Sequence, residues 1–224
     1  MIRLITIMFA ALAACSTLDP PVAQLERWQQ QRAAGAISAI ADEPVVRDCA
    51  PGKGEACQRL HLIRAEACLG LAFAERASGA ERAAGAACPG SSARDAGLLS
   101  CAATAAQAAE QASGGILLSA RKLRVQARLC AIENLPPAMA APAARELIAE
   151  AAPLADAEGA LLRGRAALAA ARPSAGPEAA RCAAARDALA EARRGLGLKS
   201  DDPALKRLAD DAGLRAARIA DCQL

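Results

Sequence analysis

Tyrosine is absent, histidine occurs once, and the aromatic side chains are limited to Phe9, Trp28 and Phe73. Without aromatic platforms the chain has little on which to stack nucleic-acid bases. A formal net charge of +3, with basic and acidic residues intermixed, leaves no broad electrostatic footprint for a phosphate backbone either. One histidine, His61, lacks a neighbouring serine or cysteine motif, so the usual nucleophile and base pair has no visible members. There is no C-x-x-C for thiol redox work. Gly52-Lys53-Gly54 sits in a cysteine-bounded turn without the strand before it or the Lys-Ser/Thr pair of a phosphate loop. Carboxylates at Glu66, Glu75, Glu110, Glu146, Glu150, Asp187 and Glu191 are interleaved with arginines as on solvated helix faces, and no pair stands out for acid–base catalysis. These absences point away from an enzyme, from nucleic acid and from a bound cofactor.

Strand-favouring residues are also sparse, and no segment alternates apolar and polar residues between turns. What the chain has instead is alanine, the best helix former, because it loses no side-chain freedom. Helices are expected at about 22–41, 54–78, 92–113, 116–134, 141–153, 156–172, 177–195 and 203–221. Breakers such as Pro89-Gly90, Gly114-Gly115, Pro136-Pro137 and Asp202-Pro203 separate them. Short connections make neighbours pack as antiparallel hairpins. A core of small side chains buries little area per residue, so close helix contact and additional staples must supply stability.

The first residues have a different character. Arg3 is followed by an apolar run from Leu4 to Leu12, then Ala13, Ala14 and Cys15. This is the n-region, h-region and small-residue pattern of an export signal, too short to span a bilayer as a mature helix. Leu12-Ala13-Ala14-Cys15 resembles the lipobox of bacterial lipoproteins. The resemblance implies cleavage after residue 14, acylation of Cys15, and, with Ser16 next, delivery to the outer membrane. Residues 15–22 then read as a lipidated tether in which Pro20 and Pro21 delay helix formation, and residues 23–224 as one all-helical domain facing the periplasm.

Eight further cysteines, an even number in an exported chain, suggest a disulfide framework. Cys101 and Cys130 lie at nearly equal distances from the Gly114-Gly115 turn and are expected to pair. Cys182 and Cys222 are expected to pair if Cys222 occupies a bent or frayed helix end. Cys49 with Cys57 and Cys68 with Cys88 complete the set. Cys57, His61 and Cys68 could share a helix face and ligate a metal, but one histidine and an oxidising compartment favour disulfides and no metal.

Two segments resemble the tetratricopeptide repeat. Leu69-Gly70-x-x-Phe73 is similar to the core of that repeat's first helix, where glycine admits the partner helix. Ala185-x-x-x-Leu189-x-x-Ala192, with the polar turn and helix after it, is similar to the second. The resemblance implies helical hairpins stacked in a right-handed, tetratricopeptide-like, disulfide-stapled array. Arg121, Lys122, Arg124 and Arg128 make one helix locally basic; this strip is either a solvated face or the contact for an acidic partner or lipid head groups. Trp28 reads as a packing anchor. The expected function is a membrane-anchored, non-enzymatic scaffold that binds an envelope protein, the alternative being an accessory lipoprotein that binds a small molecule.

Overall fold

The computed structural model describes residues 19–49, 54–74, 88 and 92–223. Within them lie nine helices and no strand: α1 (Pro20–Ala33), α2 (Ile37–Asp42), α3 (Glu55–Ala74), α4 (Ala93–Ser113), α5 (Leu118–Glu133), α6 (Pro137–Ala151), α7 (Ala157–Ala170), α8 (Glu178–Leu198) and α9 (Pro203–Ala217). Their ends follow local chemistry. Ser92 Oγ accepts a hydrogen bond from Asp95 N, Asp156 caps α7 through Gly159 N, and Asp202 caps α9 through Ala204 N and Leu205 N. Gly114 closes α4 in the left-handed conformation at φ 72°.

Among the boundaries that differ from expectation, three do so through proline or glycine. Pro20 and Pro21 open α1 instead of delaying it, because a first-turn proline lacks only an N–H that has no intrahelical partner. Pro137 does the same for α6, which therefore starts before the expected residue 141 and carries Pro142 in its interior. The single helix expected at 22–41 is divided at Gly35, whose φ of +74° turns the chain between α1 and α2.

From α3 onward each helix packs on its sequence neighbours, and α3, α5, α7 and α9 also pack serially on one another. The odd-numbered helices thus form one rank of the domain, with α4, α6 and α8 wedged against it. Bulky core residues collect in two places. Leu25, Trp28, Ile40, Leu60 and Leu99 fill the first, and Val125, Leu129, Leu147, Leu154 and Leu162 the second. Other interfaces are built mainly of alanine, as between Ala65 of α3 and Ala105, Ala106 and Ala109 of α4.

Glycine brings helices together, although not at Gly70. That residue is exposed, and a Cβ there would meet nothing within 4 Å, so the close approach implied by the repeat resemblance is absent at this position. The role falls to Gly164 and Gly195. A Cβ at Gly164 would lie 2.4 Å from Leu208 Cδ2, and one at Gly195 2.6 Å from Leu205 Cδ2, so both glycines seat leucines of α9.

The disulfides are Cys49–Cys57, Cys68–Cys101, Cys88–Cys130 and Cys182–Cys222. The expected Cys101–Cys130 and Cys68–Cys88 bridges are replaced. Level alone does not choose a partner: Cys101 is level with Cys68 across the antiparallel α3–α4 pair as well, and the structure joins those two at a Cα separation of 6.0 Å. Cys222 lies beyond the end of α9, in a turn where Asp221 has φ 58°, and this bend lets it reach Cys182.

Candidate functional site

Cys15, its lipobox and residues 16–18 of the tether lie outside the described residues. The face of α3 considered for metal is occupied differently: Cys57 and Cys68 are both oxidised, to Cys49 and Cys101. His61 is partly buried, which pushes its imidazole below its ordinary pKa, against a hydrogen bond to the Cys49 backbone that favours the protonated form. Among the described residues no group of three or more histidine, cysteine, aspartate or glutamate side chains could hold a metal ion. Trp28 is fully buried and donates through Nε1 to Glu43 Oε2 at 2.8 Å. Gln24 and Arg27 bond the same carboxylate. Burial opposes the charge on Glu43, but these donors hold its pKa below the ordinary carboxylate value.

The basic strip of α5 is engaged within the fold, which corrects the expectation of a face open to a partner. Glu110 of α4 is nearly buried and accepts from Arg121 Nε at 2.7 Å and from Arg124 at 2.8 Å. Glu150 of α6 pairs with Arg124 and Arg128, and its backbone carbonyl accepts from Arg121 at 3.2 Å. Lys122 Nζ reaches Asp156 and Glu158 at the start of α7, the latter at 2.8 Å. Its hydrogen bonds to these two carboxylates raise its pKa, and Lys122 in turn holds Asp156 below the ordinary value. The four cations therefore stitch α5 to α4, α6 and α7.

Arginines of the α7 region perform a second task. Arg163, 5% exposed, donates to the carbonyls of Ala151 and Leu154 at the end of α6 and pairs with Glu191 of α8 at 2.9 Å. Arg172, just beyond α7, donates to the carbonyls of Ile132, Glu133 and Leu135. Each guanidinium adds a charged donor to carbonyls at or just past a helix end, where the helix dipole is negative. Arg165 forms a forked pair with Glu133, Nε donating to Oε1 at 3.1 Å and Nη2 to Oε2 at 2.9 Å.

Glu133, Arg165 and Arg172 border a cleft of about 360 Å³ between the end of α5, the length of α7 and α9. One wall is the stripe Leu161, Arg165, Leu168 and Arg172; the facing wall is Ala204, Leu208, Asp211 and Arg215, with Arg207 beside it. Both stripes have the spacing i, i+4, i+7, i+11, which places them on one side of a helix or its direct continuation. Leucine and alanine form the floor. Guanidinium groups outnumber carboxylates around it, with Glu133 and Asp211 opposing four arginines. The arrangement can hold an apolar group while pairing with negative charge, and it contains no nucleophile with an adjacent base.

The α7 stripe is not legible in the sequence as a cleft wall, because leucine and arginine four residues apart also describe the edge of an ordinary amphipathic helix. Only the equal spacing of the α9 stripe signals a facing wall. No family model matches the chain, and neither a curated protein nor a solved structure matches it.

Proposed function

We propose that the protein is a bacterial envelope lipoprotein, exported by residues 1–14 and held to the outer membrane by lipid on Cys15, with its domain facing the periplasm. In this reading its hairpins stack as a right-handed, tetratricopeptide-like array and act as a non-enzymatic scaffold for an envelope protein. The observation that carries the scaffold role is the pair of facing stripes around the α5–α7–α9 cleft. Its leucine floor and arginine rim suit a partner segment with apolar residues flanked by acidic ones.

Crosslinking in native membranes, followed by mass spectrometry, tests this. A partner peptide should crosslink beside α7 and α9, and Arg215→Glu should reduce its yield about tenfold while the helical circular dichroism stays unchanged, a loss in the range for a well-placed interface charge. An unaltered crosslink profile in that variant contradicts the scaffold role. A second reading, small-molecule binding, is favoured by the cleft's size, which falls in the range of ligand pockets. It predicts that Arg215→Glu changes retention of a co-purified anionic compound and no protein crosslink.

A further inference from the structure

We infer that the end of the domain formed by the α4–α5 and α8–α9 connections rests on the phospholipid surface, with Ile116, Leu118 and Leu198 entering its interface. The inference builds on the reading of Cys15 as a lipid anchor and adds an orientation that the anchor alone does not supply.

Antiparallel packing from α3 onward gathers the α4–α5, α6–α7 and α8–α9 connections at one end. Contacts across that end agree: Lys122 near the start of α5 reaches Asp156 and Glu158 at the start of α7, and Arg163 of α7 pairs with Glu191 late in α8. Large apolar side chains are exposed there. Ile116 is 61% exposed, Leu118 51% and Leu198 59%. The remaining exposed large apolar residues among those described, Met139 and Leu214, lie at the opposite end, in the first turn of α6 and the last turn of α9. Three of the five exposed large apolar side chains among the described residues thus sit at this end, where an apolar phase can cover them.

The tether approaches the same end. Gln24, early in α1, bonds Glu43, Pro44 and Val46, on the segment leading to Cys49, which is joined to Cys57 in the first turn of α3. Arg32, at the far end of α1, pairs with Glu66, well along α3. Hence α1 runs alongside α3 in the same direction, and Pro20 lies toward the N-terminal end of α3. Because α3 and α4 are antiparallel, that is also the end bearing the α4–α5 connection. From Cys15 to Pro20 the chain spans five residues, a reach of at most about 17 Å. The 20-residue α3 is about 30 Å long, so this tether cannot place the lipid at the opposite end. Asp156, Glu158, Asp201 and Asp202 share this end with Lys122 and Lys199, so its attraction to lipid is apolar rather than electrostatic.

The test uses the full lipidated chain in phosphatidylcholine–phosphatidylglycerol vesicles carrying brominated acyl chains, which quench tryptophan at the acyl boundary. Leu118→Trp and Leu198→Trp place reporters at the proposed contact, Met139→Trp places one at the opposite end, and Trp28 is a buried background common to all. After flotation, fluorescence of Leu118→Trp and Leu198→Trp should fall on the order of twofold, with no dependence on salt, and that of Met139→Trp should not. Floating protein in which Met139→Trp is quenched as strongly, or in which neither tip reporter is quenched, overturns the orientation and leaves the anchor standing. Protein that does not float overturns the anchor and the orientation together.

Discussion

Glu110 and Glu146 both pair with arginines of α5, yet their surroundings give them different weights. The Glu110 side chain is 8% exposed and bonds two guanidinium groups, whereas that of Glu146 is 74% exposed and lies 3.7 Å from one. Removing the Glu110 charge weakens the hold on two guanidinium groups that still keep Glu150, so Glu110→Gln should lower unfolding free energy by about 1–3 kcal/mol. Glu146→Gln should change it by less than about 0.5 kcal/mol. Urea denaturation of the two variants measures both, and equal effects would contradict the clamp. The glycines separate in the same way. Gly70→Ala should stabilise by about 0.5–1 kcal/mol, because nothing opposes the gain in helix propensity. Gly195→Ala should destabilise by about 1–3 kcal/mol because the new methyl overlaps Leu205. The basic strip was legible as a cluster of residues but not as a clamp, since its carboxylate partners come from three other helices and sequence distance hides them.

Helices in this chain are punctuated by proline, glycine and capping aspartate, and for that reason most of their positions could be read from sequence. Pairing between helices could not. A cysteine's level along a hairpin follows from the sequence, but the direction in which it points depends on how the helix is rotated. Non-reducing peptide mapping should recover Cys68–Cys101 and Cys88–Cys130, and a Cys101–Cys130 peptide would contradict the fold. Each bridge closes a loop of 33 or 42 residues, worth about 4 kcal/mol in the chain-entropy account. The contact between α5 and α7 through Lys122 and Asp156 carries a pH signature. The pKa of Asp156 is lowered in the folded chain, so its contribution is present above the unfolded value near 3.8 and is lost as the pH falls through the folded value. That of Lys122 is raised, so its contribution holds below the unfolded value near 10.5 and is lost as the pH rises through the folded one. Lys122→Met should therefore reduce the decline of the urea midpoint in acid, and a pH profile identical to wild type would show that the pair contributes nothing.

Across the whole molecule, scarce aromatic residues and abundant alanine have one consequence. Small side chains let helices approach, but they bury too little area to hold the nine helices of the described residues together alone. Four disulfides and arginines that bridge helix to helix make up the difference. Such a framework suits an oxidising compartment, the kind of destination that the proposed export signal implies. The proposed role gathers these features: a lipid at Cys15, a stapled helical domain close to the membrane, and a cleft between α5, α7 and α9 open to a partner. All of it depends on the anchor. Metabolic labelling with a radioactive fatty acid, comparing wild type with Cys15→Ala, tests it most directly. The account predicts label on the wild-type protein and none on the variant, whereas label retained by Cys15→Ala, or absent from both, would contradict it.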